Sequence, residues 1–378
     1  MQAAQSAVRS SQRDRGERGD WTDFAHTAPG TLAGRYMRRF WHPVYRSEDL
    51  PTGCAMPLKI MGEDYSLYRG EDGAAHALAF RCAHRGTQLS TGWVEGHNLR
   101  CFYHGWVYGP DGQCVEQPAE PEPFCGRIKI RSYPVEEYLG LIFAYQGVGE
   151  PPPFQRYPDL EQSGTLKVTT YVRPCNFFNN VENGLDPAHV PFTHGSGHDF
   201  GPADVWSMRV VESEFGITTY RDRAHGPVQV NEFGMPNVLL RIGARRDQDA
   251  LAWRVPVDDE NHVSFNVDHI RRPGDSGPAQ VEPDAAPRQR DMVSELSGRV
   301  LAGELSMDDV SHNASLINIQ DTVTQAGQGV IADRSSEHLG RSDVAIVMIR
   351  ELWLRELRAL AEGRELKHWW RSQPAARS

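Results

Sequence analysis

Between residues 42 and 80 the apolar residues fall in short runs: Leu58-Lys59-Ile60-Met61, Tyr65-Ser66-Leu67-Tyr68 and Ala77-Leu78-Ala79-Phe80, separated by Gly62, Gly70 and Asp72-Gly73. Runs of this length bounded by turn residues predict strands, so this part reads as a small antiparallel β domain. The pattern continues through Trp106-Val107-Tyr108, turns at Gly109-Pro110-Asp111-Gly112 and closes with Leu139-Gly140-Leu141-Ile142-Phe143-Ala144-Tyr145. Pro151-Pro152-Pro153 then supplies a stiff break. Beyond it, strand-like stretches near 166–173, 205–221, 237–242, 250–256 and 262–268 are mixed with helical ones, which predicts an α+β domain around a central antiparallel sheet. Arg272 to Pro287 reads as a surface loop and residues 288–303 as a helix. Ser342 to Ala361 reads as an amphipathic helix with Val344, Val347, Met348, Leu352, Leu354 and Leu357 near helical spacing. The expected organisation is an N-terminal tail and helical segment over 1–35, a β domain over 36–150 and an α+β domain over 151–378.

With 378 residues, 39% of them hydrophobic, the chain can bury one large core or two moderate ones, and two domains are expected. Its net charge of −10, with both signs interspersed, provides no basic stripe for phosphates, so nucleic acid is not an expected partner. No apolar run is long enough to span a bilayer, and the first residues lack the apolar core of a secretory signal. The expectation is a cytoplasmic protein without membrane contact. Residues 1 to 20 are rich in Gln, Ser and Arg but also hold Asp14, Glu17 and Asp20, which favours a disordered tail over a transit peptide. No G-x-G-x-x-G or G-x-x-x-x-G-K-[ST] loop occurs, so NAD or nucleotide binding by those routes is not expected.

Cys82-Ala83-His84 and Cys101-Phe102-Tyr103-His104 together give C-x-H-x16-C-x2-H. Each half offers one thiolate and one imidazole, which suits either a Cys2His2 zinc site or a [2Fe–2S] cluster with two Cys on one iron and two His on the other. A zinc finger usually keeps its cysteines in one half and its histidines in the other. Here each loop supplies one of each and then runs into a glycine, Gly86 or Gly105, which lets backbone N–H groups approach bridging sulfides. That favours the cluster, with Cys82, His84, Cys101 and His104 as ligands. Cys54, Cys114, Cys125 and Cys175 read as ordinary buried thiols.

A second constellation lies in NFFNNVENGLDPAHVPFTH (176–194), where Asp186, His189 and His194 form D-x2-H-x4-H. On a helix the two histidines stand about 140° apart, so a bend or helix end is needed for both to reach one metal, and Pro191 is placed to supply it. Alone the pattern is weak, and structural histidines would be the favoured reading. Beside an iron–sulfur module the balance shifts, because two His and one carboxylate leave open positions on ferrous iron for O2.

The segment from Cys82 to Trp106 resembles the Rieske family, down to Cys-Ala-His-Arg-Gly and Cys-Phe-Tyr-His-Gly-Trp, and 176–194 resembles the iron motif of Rieske non-haem iron aromatic-ring-hydroxylating oxygenases. Thr87 and Tyr103 stand where respiratory Rieske proteins add disulfide cysteines, which points to the oxygenase or ferredoxin branch. The stretch QDTVTQAGQGVIADRSSEHLGRSD (320–343) resembles the phthalate-dioxygenase-like group. The resemblance implies an oxygenase alpha subunit whose catalytic domain has a helix-grip sheet. It implies a [2Fe–2S] cluster, and mononuclear Fe(II) on His189, His194 and Asp321, with Asp308 and Asp309 as rivals for the third position and a solvent-facing helix cap as the other role for Asp321. Asp186 is then not a ligand but a bridge from His189 to a cluster histidine, His104 of a neighbouring subunit, in a head-to-tail homotrimer without a β subunit. Asn183 is placed near the iron, a structural amide being the equal alternative.

The implied activity takes electrons from a separate NAD(P)H-dependent reductase, with or without a ferredoxin, and uses O2 to hydroxylate or demethylate a small, aromatic substrate. Cis-dihydroxylation uses the same ligands and stays open. Trp206, Phe215, Phe233, Met235, Leu239 and Trp253 are candidates for pocket walls, with core the commoner role, and Arg209, Arg223 and Arg241 for pairing an anion. The reading from a different class is an electron carrier with a Rieske cluster and no catalytic iron; a zinc-binding interaction module is a further one.

Overall fold

Two tight hairpins show how local sequence sets the β architecture. Met61-Gly62 and Leu139-Gly140 each place two residues at positive φ (51° and 74°, 52° and 78°), the backbone that a two-residue turn needs to match strand twist. They join β2 (Ala55–Ile60) to β3 (Glu63–Arg69), with Ile60 opposite Glu63, and β10 (Val135–Tyr138) to β11 (Leu141–Tyr145), with Tyr138 opposite Leu141. This computed structural model describes residues 20–195, 208–221, 228–245, 248–282 and 289–372.

The chain divides into two units, one of Arg38–Thr170 with Phe265–Asp284, the other of Met1–Met37, Tyr171–Ser264 and Ala285–Ser378. The division therefore falls at Met37/Arg38 and Thr170/Tyr171 rather than at 35/36 and 150/151, and residues 265–284 return to the first unit.

In the first unit β1 (Trp41–Arg46) pairs with β11, which pairs in turn with β10, in a three-stranded sheet. A second sheet has the order β2-β3-β4-β9, with β4 Ala75–Ala79 and β9 Ser132–Tyr133. A third has the order β5-β6-β7-β8, built from Trp93–Glu95, Asn98–Arg100, Val107–Tyr108 and Cys114–Glu116. Tyr68, Leu78, Leu89, Leu99, Trp106 and Tyr108 form a core that also takes in Cys82 and Cys101, so the metal-type cysteines sit on a packed base.

The second unit is built on an antiparallel meander of β13 (Met208–Glu212), β14 (Gly216–Arg221), β15 (Gln229–Gly234), β16 (Val238–Arg245) and β17 (Gln248–Pro256). The sheet order runs on through β18 (His262–Ile270), β12 (Thr165–Arg173) and β19 (Gln280–Glu282), where β19 pairs parallel to β12. The expected run at 205–221 is thus a hairpin rather than one strand, because Ser213 to Phe215 turn it back, and β15 has no counterpart among the expected strands.

Helices Leu32–Met37, Phe177–Leu185, His189–Thr193, Gln289–Leu301, Leu316–Gly327 and Val344–Ala361 belong to the second unit. The last buries Ala345, Ile346, Ile349, Leu352, Trp353 and Leu357, while Val347 of the expected apolar face is 37% exposed. The correction is one of phase, since Ile346, Ile349 and Trp353 continue the stripe at helical spacing and Val347 falls outside it. Trp353 anchors this core against Tyr36, Phe177 and Phe178, and its indole N–H donates to Pro236 O at 3.2 Å.

Candidate metal centres

The two Cys/His loops of the first unit close in the same way. In one, the Cys82 N–H donates to Thr87 O at 2.8 Å and the Gly86 N–H to Cys82 O at 2.9 Å; in the other, Cys101 N–H donates to Trp106 O at 2.8 Å and Gly105 N–H to Cys101 O at 3.1 Å. Gly86 and Gly105 take φ of 75° and 74°, the left-handed region glycine tolerates best. Identical closure on two neighbouring loops brings the four candidate ligands together. The His84 and His104 rings lie 4.5 Å apart, and Cys82 and Cys101 both lie in the buried base.

Around them His84 stacks on Trp106 at 4.7 Å, and the Tyr108 hydroxyl lies 3.2 Å from Cys82 Sγ while accepting the Ala83 N–H at 3.1 Å. Burial pushes the Cys101 thiol up, with Cys82 adding to the shift. His84 Nδ1 is buried without a hydrogen-bond partner. An orphaned imidazole nitrogen beside two desolvated thiols fits a group that takes thiolate and imidazole ligands together, as the cluster does. Of the other cysteines, Cys114 and Cys175 are buried as expected; Cys54 is exposed and Cys125 only half-buried, which corrects the expectation for these two. Cys54 sits just ahead of β2, its N–H donating to Pro51 O at 3.1 Å.

In the second unit Asn176 caps helix Phe177–Leu185, its side chain accepting the Phe178 N–H at 3.0 Å. Asp186 ends that helix, and its Oδ1 accepts the Ala188 N–H at 2.7 Å, which turns the chain through Pro187 into helix His189–Thr193. Pro191 lies in the first turn of that short helix, where its missing N–H removes no bond, rather than at a mid-helix bend. His194 is the residue that caps its end, so the two imidazoles reach one place from opposite ends of a single turn.

Helix Leu316–Gly327 brings Asp321 to the same place. Asp321 Oδ1 is 3.3 Å from His194 Nε2 and 3.8 Å from His189 Nε2, and one ligand atom from each of the three residues lies within 4.8 Å of the others. Ligands bonded at roughly 2.1 Å and at right angles are roughly 3 Å apart, so the spacing suits one ion. The Asp321 Oδ1 and His189 Nδ1 atoms are buried without hydrogen-bond partners, and the donor set of two imidazoles and one carboxylate is the facial triad of ferrous iron. The residues present therefore fit the group.

Neighbouring side chains fix this arrangement. Gln320 Oε1 lies 2.9 Å from His194 Nδ1, so Nδ1 carries the proton and Nε2 keeps its lone pair toward Asp321. Burial pushes the Asp321 carboxyl up, but His194 beside it and the Arg173 guanidinium outweigh it and hold it low. Arg173 Nη2 lies 3.4 Å from Asp321 Oδ2. For His194 burial acts downward, and Asp321 with Gln320 reverses it to a net rise. Asn183 Nδ2 is 3.4 Å from His189 Nε2, and Asp186 Oδ2 is 3.5 Å from His189 Nδ1, beside the ring but outside direct hydrogen bonding.

Asp308 and Asp309 are exposed, and Asp309 accepts the Ser306 N–H at 2.8 Å, so neither joins the site. Phe215, Phe233, Met235 and Trp253 are buried core. Arg209 is exposed over the Tyr220 ring at 4.0 Å, while Trp206 and Arg223 lie outside the described residues. Sequence reasoning missed Gln320, Arg173 and Tyr108. Gln320 and Tyr108 had a local signal, the one beside Asp321 and the other four residues after His104; Arg173 acts from a strand distant from Asp321 in sequence and had none.

Residues 40–134 match the Rieske [2Fe-2S] domain family. The chain is 31% identical over 360 residues to the 5,5'-dehydrodivanillate O-demethylase oxygenase subunit of Sphingobium sp., with 91% of this chain and 81% of the relative covered. It is 32% identical over 365 residues to the phenoxybenzoate dioxygenase subunit alpha of Ectopseudomonas oleovorans, with 89% and 84% covered. Among solved structures it resembles the terminal oxygenase of carbazole 1,9a-dioxygenase from Nocardioides aromaticivorans IC177 in fold, with a TM-score of 0.62 at 23% identity over 87% of this chain and 98% of that one.

Proposed function

The chain belongs to the Rieske non-haem iron oxygenases as an oxygenase subunit, and from that premise we propose that its cluster is held by Cys82, His84, Cys101 and His104 and its catalytic iron by His189, His194 and Asp321. It is the terminal oxygenase component of such a system. The observation that carries the iron assignment is the convergence of one atom from each of His189, His194 and Asp321 within 4.8 Å.

When bound, the cluster supplies single electrons and the iron supplies open positions for O2. The chain's own residues do the rest. Gln320 holds the His194 proton on Nδ1, Arg173 neutralises the outer oxygen of Asp321, and Asp186, beside His189 Nδ1, orients that imidazole. We assign Asn183 to the edge of the same site, where its amide lies against His189.

The substrate is a small aromatic molecule that is hydroxylated or oxidatively demethylated. Of the relatives, one is named an O-demethylase and the other a dioxygenase, which keeps cis-dihydroxylation as the second reading. Electrons come from a separate NAD(P)H-dependent reductase, with a ferredoxin as an intermediary. The assembly is a head-to-tail homotrimer, in which Asp186 meets His104 of the next subunit. Support comes from apolar surface beside both centres, with Phe102 60%, Tyr103 54% and Phe192 67% exposed. No helix among the described residues is long and apolar enough to cross a membrane. The cytoplasm, which keeps thiols reduced, suits a chain whose six cysteines are all unpaired.

The test is O2 uptake by the reduced protein with a surrogate reductase and a panel of aromatic methyl ethers. Uptake with formaldehyde release supports demethylation, a cis-diol supports the second reading, and no substrate-dependent uptake with both metal centres loaded contradicts the proposal.

A further inference from the structure

In the first unit a single side chain holds two cysteines side by side. Gln113 Nε2 lies 2.7 Å from Cys125 O, 2.9 Å from Ile128 O and 3.3 Å from Cys114 O, which ties β8 to the 3-10 turn Cys125–Arg127. The main chain repeats the tie: the Cys114 N–H donates to Ile128 O and the Ile128 N–H to Cys125 O, each at 2.9 Å. Cys114 is buried in the core that also takes in Cys82 and Cys101, and the half-buried Cys125 packs against that core. The Cys114 S–H donates weakly, to Glu116 O at 3.6 Å. Burial, and after it the neighbouring Cys125 thiol, push the Cys114 thiol up to about 12. Both thiols are free, and a disulfide depends on backbones held this closely.

Contacts lead from this pair to two of the candidate cluster ligands. Cys114 is the cross-strand partner of Tyr108, whose hydroxyl lies 3.2 Å from Cys82 Sγ. Phe124, adjoining Cys125, meets the Trp106 ring edge-on at 5.5 Å, and Trp106 stacks on His84 at 4.7 Å. A close-packed interior transmits strain, so drawing β8 and the turn together displaces groups that touch a thiolate and an imidazole ligand.

We propose that Cys114 and Cys125 are a thiol–disulfide switch: a low-molecular-weight disulfide such as glutathione disulfide joins them, and the joined form has a different cluster reduction potential. Cys125, the member nearer solvent, loses its proton and attacks one sulfur of glutathione disulfide, releasing one glutathione, which takes up that proton, and leaving a mixed disulfide. Cys114, buried and slow to ionise, is the resolving thiol. It attacks the Cys125 sulfur, and the second glutathione leaves with the Cys114 proton. Two protein thiols are oxidised and one glutathione disulfide is reduced to two glutathiones. Coupling to the cluster rests on Cys82 and His84 being ligands, whereas the thiol chemistry does not.

The experiment treats anaerobic holoprotein with glutathione disulfide and maps its cysteines by peptide mass spectrometry, cleavage after Glu116 separating Cys114 from Cys125. Labile sulfide and the cluster potential, read by protein-film voltammetry, are measured before oxidation, after it and after dithiothreitol. The expected map joins Cys114 to Cys125 with loss of their two hydrogens, while labile sulfide stays at about two per chain. The potential should be displaced in the joined form and restored by dithiothreitol. Cys54, which is exposed, should stop at the glutathione adduct. Cys114→Ser should trap the adduct on Cys125, Cys125→Ser should leave Cys114 unmodified, and neither variant should show a displacement on oxidation. A persistent adduct at Cys125 in native protein, either cysteine joined elsewhere, or no reaction at either overturns the switch. So does a joined pair with an unmoved potential, or labile sulfide lost equally in native protein and both variants. Labile sulfide absent from untreated native protein sinks the cluster assignment instead, while the cysteine map still decides whether the pair closes.

Discussion

Asp321 faces His189 and His194 through one oxygen and Arg173 through the other, so its charge is shared between a metal position and a fixed cation. Gln320, the preceding residue, does the equivalent for His194 by fixing its tautomer. Removing such an outer partner typically lowers metal affinity 10- to 100-fold, so Gln320→Ala should weaken iron binding by about that factor in an anaerobic titration while the cluster spectrum is unchanged. Unaltered affinity would mean that the Gln320 contact is incidental. The metal competes with the proton on His194, whose pKa is raised above 6.5 chiefly by Asp321 and Gln320 against burial. Affinity should therefore start to fall at a pH above 6.5 as acid is added, and in Gln320→Ala this onset should move to lower pH. In the metal-free protein the sign is opposite: a raised histidine pKa stabilises the fold below its unfolded value and that contribution is lost as pH rises through the folded one. The candidate Cys and His ligands stood out because these residue types carry their chemistry in identity and spacing, whereas Asp321 was marked only by the resemblance of 320–343 to the phthalate-dioxygenase-like group. Arg173 was not legible, because nothing in its own neighbourhood marks which sheet face it takes.

At the scale of elements, the two cluster loops make a paired prediction. Gly86 and Gly105 both need the left-handed region, which costs an L residue about 1–2 kcal/mol. A Cβ at Gly86 meets nothing within 4 Å, whereas at Gly105 it would lie 2.8 Å from Pro118 Cγ, part of a rigid ring. Gly86→Ala should thus keep its cluster with a modest loss of stability, and Gly105→Ala should lose cluster absorbance and labile sulfide; equal behaviour would contradict the steric account. A second element-level prediction concerns the final helix. Arg355, on that helix, and Lys367, after it, lie 2.9 and 2.8 Å from Glu212 of β13, and with the Arg355 hydrogen bond as the largest cause they pull its pKa down to about 2. A depressed carboxylate stabilises the fold above its ordinary value of 4.5 and loses that contribution as pH falls toward 2. Because Glu212 is 36% exposed, solvent screening reduces this to about 1 kcal/mol. Urea unfolding of Glu212→Gln should show that loss at pH 7 and almost none near pH 2.5; a loss that persists in acid would place its origin elsewhere. Helix existence was readable from the apolar spacing, but the phase of Val344–Ala361 was not, since Ile346, Val347, Ile349 and Val344 all offer apolar surface and only Trp353 packing against Phe177 and Phe178 decides between them.

For the whole molecule, the antiparallel β domain was visible in the runs and turns before Pro151 and the α+β domain with its central sheet in the mixed stretches after it. The partition was less so. A proline triplet marks a stiff stretch, but β12 and β18 each pass from one unit into the other, and the Phe265–Asp284 return could only be seen once those strands were placed. The central claim is that one chain holds two distinct metal centres, a cluster in the first unit and a mononuclear iron in the second. Counting iron and acid-labile sulfide per chain in anaerobically purified protein, and again in a His189→Ala, His194→Ala double variant, tests it most directly. The account predicts about three irons and two sulfides falling to about two and two, with the cluster spectrum retained. Two irons and two sulfides in both proteins would contradict it and leave an electron carrier without a catalytic iron.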